Sequence, residues 1–203
     1  MPDKKKKAFD ELSKRAANCT QCEAMCGRSA VLGPLNGSLR PRVMFIAEAP
    51  GRQGADRTRK PFYGDKSGEH FERMLESISL RRSEVFITNS VLCSPRSESG
   101  ANRKPTKREI GNCKSFLTET VNLIDPAVIV TLGTVALEAI KAVEPHRIKL
   151  AESVAKRHRW NGRTLIPLYH PSPQVLAATR SAAMQLRDFK SIGRALSTLE
   201  KKK

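Results

Sequence analysis

Four short apolar runs along the chain predict four buried strands. Each run is too short for a packed helix and stops at a polar residue, a glycine or a proline, which is typical of buried strands. The runs are Val43–Ala47, Val85–Thr88, Val128–Leu132 and Thr164–Tyr169.

Apolar residues at helical spacing occupy the segments between and after these runs. Thr106 and Glu109 form a capping box, which marks the start of one of these helices. The helical patterns run through Phe71–Ile78, Ile110–Leu117, Leu137–Ile140 and Leu176–Leu199.

Strands separated by helices imply right-handed crossovers and a parallel sheet covered on both faces. We therefore predict an α/β fold, a three-layer α/β/α sandwich with a central four-stranded parallel sheet. A chain of 203 residues suits one such domain, so residues 1–203 are expected to form a single domain. The lysine-rich ends, residues 1–15 and 200–203, are expected to be basic, flexible tails.

Polar residues follow three of the predicted strands at the point where each strand ends. The segment Glu48–Gly51 follows the first strand, Asn89 follows the second and His170 follows the fourth. The carboxyl ends of parallel strands share one edge of the sheet, where ligands bind. The sequence therefore predicts that these groups line one crevice.

The charge of the chain favours a polyanionic partner. Its 37 Lys and Arg residues against 20 Asp and Glu residues leave a formal charge of +17. Removing the lysine runs Lys4–Lys7 and Lys201–Lys203 still leaves about +10, so tails added for solubility explain only part of the excess. Nucleic acid is the favoured partner, because each neutralised phosphate releases a counterion. An anionic membrane surface would need an amphipathic apolar face, which the lysine runs lack.

The cysteines indicate a metal site in a reducing compartment. No apolar run approaches the ~20 residues of a membrane span, and no apolar stretch follows the basic start as in a secretion signal. We therefore expect a cytoplasmic, nucleoid-associated protein without membrane contact, in which disulfides are rare. The pattern Cys19-x2-Cys22, followed by Cys93 and Cys113, is typical of metal ligands. Four thiolates suit either an iron–sulfur cluster or a tetrahedral zinc ion.

Eight short segments, in a fixed order, carry a resemblance to a known family. Together they resemble the uracil-DNA glycosylase superfamily, and most closely its iron–sulfur branch, family four. The loop Arg52–Thr58 is more similar to family five. The resemblance implies a monomeric repair enzyme that flips uracil out of DNA and hydrolyses its bond to the sugar, leaving an abasic site. The matching segments are Cys19–Cys22, Ala47–Gly51, Lys60–Gly64, Ile87–Asn89, Cys93, Asn102–Thr106, Cys113 and His170–Pro173.

The resemblance assigns roles in base recognition to residues of the predicted crevice. Phe62 corresponds to the aromatic ring on which flipped uracil stacks, and Ala49 and Gly51 belong to the loop that lines the base pocket. Asn89 corresponds to the residue that reads the base, since an amide can donate to uracil O4 and accept from N3–H. His170 corresponds to the histidine that hydrogen-bonds uracil O2 as negative charge develops there.

The group that handles the attacking water differs from the best-known branch of the superfamily. Ala49 occupies the position of a water-activating aspartate there, and alanine cannot perform that role. Glu48 is the nearest carboxylate and the first candidate to orient water or to stabilise the cationic sugar. Asp56, in the loop similar to family five, is the second candidate.

The segment after His170 resembles the loop that pinches the DNA backbone and fills the space left by the flipped base. Ser172 belongs to the pinching loop, and Gln174, Val175 or Leu176 must serve as the wedge where relatives often carry leucine. Filling that space offsets an unstacking cost of a few kcal/mol. The predicted DNA contacts are Ser172, Gln174, Val175, Arg57 and Arg103.

The resemblance assigns Cys19, Cys22, Cys93 and Cys113 to a [4Fe–4S] cluster. Such a cluster is expected to hold the amino-terminal segment against the loop after the second strand. Cys26 is surplus and is interpreted as a small buried residue, with exchange for Cys22 as the alternative.

Two rival functions remain open in the sequence. Some relatives trap uracil-DNA covalently through a histidine in the loop before the fourth cluster cysteine. This chain has Asn102–Lys104 there and no histidine, which favours turnover. A non-catalytic nucleic-acid-binding module is the second rival, because a fold can persist without its chemistry.

Overall fold

A five-stranded sheet forms the centre of the computed structural model, which describes residues 4–25 and 27–201. The strands lie in the order β2-β1-β3-β5-β4, and all neighbours are parallel except β4 and β5. The prediction of an α/β fold with four parallel strands is confirmed for β1, β2, β3 and β5, which are the four predicted strands. The strands are β1 Val43–Ala47, β2 Val85–Asn89, β3 Val128–Leu132, β4 His158–Trp160 and β5 Arg163–Leu168.

The prediction of a four-stranded sheet is wrong by one strand. The additional strand, β4, has three residues, of which only Trp160 is buried, so it forms no apolar run. It pairs antiparallel with β5 through a hairpin at Asn161–Gly162, where both residues have positive φ (46° and 72°). An Asn-Gly pair between two strands is a strong hairpin signal. The predicted strands rest on apolar runs alone, so this signal did not enter the prediction.

Helices cover both faces of the sheet and complete the predicted three layers. Strand β1 is buried throughout; its Val43 and Phe45 face a core with α3 and α8, and its Met44 and Ile46 face a core with α1 and α4. In the described ranges no helix is long and apolar enough to cross a membrane. The helices are α1 Lys4–Ala17, α2 Ala55–Thr58, α3 Lys66–Glu76, α4 Lys107–Ile124, α5 Thr134–Ala139, α6 Leu150–Ser153, α7 Pro173–Ala178 and α8 Ala182–Glu200.

Most of the predicted amino-terminal tail is a packed helix, α1. Phe9, Leu12 and Ala16 are buried at helical spacing, and the Phe9 ring meets Phe86 edge-on at 5.7 Å. The prediction of a flexible tail over residues 1–15 is therefore wrong from residue 4 onward, because an apolar stripe lies among the lysines. Residues 1–3 and 202–203 lie outside the described residues.

The predicted last helix, residues 176–199, is two helices. Helix α7 ends at Ala178, and Ser181 caps α8 by accepting a hydrogen bond from the Met184 amide at 3.4 Å. Between them, the Arg180 guanidinium donates to both oxygens of Asp188 at 2.7 and 2.9 Å. Asp188 is buried in α8, so this ion pair holds the connection between α7 and α8 in place.

Candidate functional site

The three strand-end segments predicted to form a crevice lie at the same edge of the sheet. Strand β1 runs into Glu48, β2 ends at Asn89 beside Ala47, and β5 runs into Tyr169 and His170. The Val91 amide donates to the Glu48 carbonyl at 3.3 Å, so the loops after β1 and β2 are tied together. The sheet thus brings the predicted catalytic residues to one side of the molecule.

Phe62 links the loop before α3 to His170. Its ring stacks on the buried ring of Phe71 with centroids 4.6 Å apart, and it lies 5.5 Å from the His170 ring. The ring packs on one side and stays partly exposed, so it can serve as the floor on which a flat base lies.

Asn89 has a buried amide without an internal partner. The residue is only 4% exposed, and its Nδ2 has no hydrogen-bond partner among the described residues. Leaving a buried donor unsatisfied costs about 1–3 kcal/mol, so such groups call for an explanation. A ligand with a carbonyl oxygen at this position would satisfy the donor.

His170 is held by its backbone and has a neutral ring. Gln185 of α8 donates from Nε2 to the His170 carbonyl at 3.3 Å. Desolvation of the imidazole lowers its pKa to about 4, well below the ordinary value near 6.5. A neutral imidazole carries one N–H, which can donate to a carbonyl oxygen of a ligand.

We expect His170 to stay neutral from pH 8 down to about pH 5. Because the folded-state pKa lies below the unfolded one, this group contributes stability above pH 6.5 that is lost as the pH falls towards 4. NMR titration of the ring protons, assigned with His170→Gln, should give a midpoint near 4. A midpoint at 6.5 or above would mean that an imidazolium occupies the site at physiological pH.

The two candidate carboxylates, Glu48 and Asp56, lie in different surroundings. Glu48 is half-buried, and desolvation raises its pKa while the charge of Lys104 opposes that shift. Asp56 instead forms an ion pair with Arg96 and lies close enough to Cys93 to affect that thiol. Its carboxylate is therefore already engaged next to the cysteines.

The predicted DNA contacts differ in how free their side chains are. Ser172 begins α7 without capping it, Gln174 is exposed and Val175 is partly exposed, so this helix start can meet a ligand. Arg57 is exposed as well. Arg103 instead makes two charge-assisted bonds to Glu109, at 2.8 and 2.5 Å, which orders the loop before α4.

The four predicted cluster cysteines come together from three segments. Cys19 and Cys22 follow α1, Cys93 lies after β2, and Cys113 is buried in α4. Burial, followed by the charges of Cys113, Cys19 and Cys22, raises the pKa of Cys93 to about 12. None of the four is in a disulfide. Cys26 lies outside the described residues.

The donor set is four thiols, which suits either an iron–sulfur cluster or a tetrahedral zinc ion. In the described part of the chain, no three His, Cys, Asp or Glu side chains are close enough as they stand to hold one metal ion. The Asn112 Nδ2 also lies 3.3 Å from the Cys22 Sγ, a hydrogen bond of the kind that stabilises cluster thiolates.

Asp65 is a site-forming residue that the sequence reading missed. Its Oδ1 caps α3 by accepting from the Gly68 amide at 2.8 Å. A Cβ built at Gly54 would lie 2.9 Å from the Asp65 Cγ, and one built at Gly51 would lie 3.3 Å from the Asp65 Oδ2, so a side chain at Gly54 would displace the Asp65 carboxylate. The Asp65-x-x-Gly68 spacing before a helical pattern was the available signal.

Comparison with known proteins gives one consistent match. The model of a family described as the uracil DNA glycosylase superfamily matches residues 34–196. The type-4 uracil-DNA glycosylase of Thermotoga maritima is 32% identical over 191 residues, 94% of each chain, and that of Archaeoglobus fulgidus is 32% identical over 193 residues, 92% of each chain. A type-5 uracil-DNA glycosylase of Pyrobaculum aerophilum is 27% identical over 197 residues, covering 81% of this chain and 83% of its own.

Proposed function

The chain belongs to the uracil DNA glycosylase superfamily and is a uracil-DNA glycosylase of DNA repair, and we propose that Asn89, His170 and Glu48 divide its chemistry. It flips uracil out of DNA and hydrolyses the N-glycosidic bond, leaving an abasic site. One observation carries the role of Asn89: its buried Nδ2 has no hydrogen-bond partner among residues 4–25 and 27–201. In the complex, uracil O4 would take that place.

Base recognition follows from the donor and acceptor pattern of Asn89. Its Nδ2 donates to uracil O4 while its Oδ1 accepts from N3–H. Cytosine presents an amino donor and a ring acceptor at the same two places, so both contacts would be wrong. The partly exposed ring of Phe62 supports the base from one side.

Bond breaking places negative charge on the departing uracil and positive charge on the sugar. The neutral ring of His170 donates its N–H to uracil O2, where the negative charge collects. Burial raises the pKa of the Glu48 carboxyl group, and the charge of Lys104 opposes that shift. In its ionised form this carboxylate stabilises the sugar cation and orients the attacking water. Ala49 has no group that could share in this task.

DNA contacts are proposed at the start of α7. Ser172 holds the backbone, and Gln174 and Val175 fill the gap that the flipped base leaves. Arg57 contacts a phosphate, whereas Arg103 positions the loop through Glu109 and contributes its charge. We place this activity in the cytoplasm, at nucleoid DNA, and assign it to a monomer.

We propose that Cys19, Cys22, Cys93 and Cys113 hold a [4Fe–4S] cluster. The cluster supplies a covalent tie between the segment after α1, the loop after β2 and helix α4, and binding it contributes directly to folding. Asn112 orients the first pair of cysteines, since its Nδ2 also donates to the Gln21 carbonyl at 2.9 Å. The type-4 relatives cover both cysteine regions.

The purified protein should be brown and contain iron and sulfide in equal amounts. Cys93→Ser and Cys113→Ser should lose the colour and lower the melting temperature, because each removes a ligand. Cys26→Ser is the matched control and should keep both. Zinc without iron after anaerobic purification would contradict the cluster, and loss of colour in Cys26→Ser with retention in Cys22→Ser would reassign the second ligand.

The two rival functions differ in what a uracil-containing oligonucleotide becomes. After incubation, the sample is split between heating in alkali and a denaturing gel. Strand cleavage at the uracil position in alkali identifies a glycosylase. A heat-stable protein–DNA band identifies covalent trapping, and an intact strand with bound protein identifies a binding module, so either would overturn the proposal.

A further inference from the structure

Tyr63 is an exposed aromatic residue beside the proposed base pocket that no role above uses. It is 51% exposed although it directly follows Phe62, whose ring lies 5.5 Å from His170. Among the described residues, only Leu35 is a comparably exposed large apolar side chain. A single exposed aromatic ring is unremarkable in itself, so its setting decides whether it has a function.

The loop that presents Tyr63 is held in place by hydrogen bonds to its carbonyl groups. Arg82 donates to the carbonyls of Pro61 and Phe62, the latter at 3.3 Å. The Thr58 hydroxyl lies 3.0 Å from the Gly54 carbonyl oxygen and 3.2 Å from that of Lys60, either of which can accept its proton, and its oxygen accepts from the Lys60 amide at 3.3 Å. The ring is thus presented by an ordered backbone, which lowers the entropic cost of using it in binding.

The charges around the ring suit a nucleotide. The Lys60 Nζ lies over the Tyr63 ring, 4.2 Å from its centre. The Arg57 Nη2 would lie 3.4 Å from a Cβ built at Gly64, so a second cation is close to the backbone of the residue after Tyr63. An aromatic ring with cations nearby offers a stacking surface for a base and positive charge for its phosphate.

We propose that Tyr63, with Lys60, is a stacking platform for an unstacked base next to the flipped uracil on the same strand. This inference rests on the proposed function, because it needs uracil in the pocket floored by Phe62. Flipping one nucleotide disrupts the stack on both of its neighbours, and a rim aromatic can recover part of that loss. The platform favours single-stranded or locally opened DNA.

A double-mutant cycle between the protein and the DNA tests the platform. The ligand is a single-stranded oligonucleotide with 2′-fluoro-deoxyuridine, which resists hydrolysis, and the neighbouring nucleotide on either side is replaced in turn by an abasic analogue. Tyr63→Ala should weaken Kd roughly 5- to 150-fold for the intact strand, the range that base–aromatic stacking contributes. It should have no effect on the strand that lacks the stacked neighbour.

Matched variants separate stacking from other causes. Tyr63→Phe should bind like the wild type, because the ring is kept. Leu35→Ala, at the equally exposed apolar residue beside the edge strand β2, should leave Kd unchanged. Lys60→Gln should make the slope of the logarithm of the association constant against the logarithm of the salt concentration less negative by about 1.

The outcomes distinguish failure of the stacking platform from failure of the proposed function. Wild-type release of uracil from a separate, unmodified deoxyuridine strand, together with coupling between Tyr63 and one neighbouring base of the 2′-fluoro strand, supports the platform. Release of uracil with an equal effect of Tyr63→Ala on all strands, or with no effect, overturns the platform and leaves the proposed function standing. Failure of the wild type to release uracil overturns the proposed function and the platform with it.

Discussion

His170→Ala should lower the single-turnover rate of uracil release by about a hundredfold to a thousandfold, the effect of removing one preorganised donor. Most of the charge that develops in the reaction lies on the departing base. A neutral imidazole with a pKa of about 4 is a donor at every working pH, and the backbone bond from Gln185 fixes its position. The affinity for uracil-DNA should change little, because the contact strengthens only as the bond breaks.

Glu48→Gln provides the comparison for that result. It should cost less than His170→Ala if the bond breaks before water attacks, since a sugar cation can be captured by loosely held water. Asp56→Asn should be close to silent, because the Asp56 carboxylate pairs with Arg96. A silent Glu48→Gln with an impaired Asp56→Asn would move the water-handling role to the loop, and a silent His170→Ala would contradict the whole site.

Asn89→Asp should reduce excision of uracil by at least about a hundredfold, as expected when a buried donor that faces the substrate becomes an acceptor. Two carboxylate oxygens cannot donate to uracil O4, and a buried negative charge there would repel it. The same carboxylate can accept from the amino group of cytosine, so weak excision of cytosine is the expected gain. Single-turnover assays on uracil and cytosine oligonucleotides measure both effects.

A buried aspartate can also unfold the protein, so stability must be measured alongside. Asn89→Ala removes the donor without adding a charge and should lose uracil excision while keeping its melting temperature within a few degrees. Unchanged excision of uracil by either folded variant would remove Asn89 from the site.

The sequence predicts the parts of this molecule that are determined by residues close to one another in the chain. Strands β1, β2 and β3 and the last four residues of β5 are buried, and their mostly apolar runs are visible without a structure. The capping box at Thr106 is local too, and its two reciprocal bonds, at 3.2 and 2.7 Å, form as expected. The placement of Glu48, Asn89 and His170 at one edge follows from parallel strands alone.

The features that the sequence did not reveal depend on partners outside the segment that carries them. In helix α1 the apolar Phe9, Leu12 and Ala16 stand among lysines, and the contact of Phe9 with Phe86 shows that the segment is packed. The guanidinium of Arg103 pairs with Glu109, six residues further along the chain, and the DNA contact of Arg103 stays a prediction. The support of His170 by Gln185 joins residues 15 positions apart across the bend between α7 and α8. The prediction of a single domain over residues 1–203 stays a prediction.

If this crevice releases uracil from DNA in repeated turnovers, a small amount of protein must process an excess of substrate. The most direct test incubates a small amount of protein with an excess of uracil-containing oligonucleotide and quantifies free uracil by chromatography and abasic sites by alkaline cleavage. We expect many equivalents of uracil per protein, one abasic site for each, and neither product from a thymine-containing control strand. Bound DNA with no free uracil, or at most one equivalent per protein in a heat-stable adduct, would contradict repeated turnover.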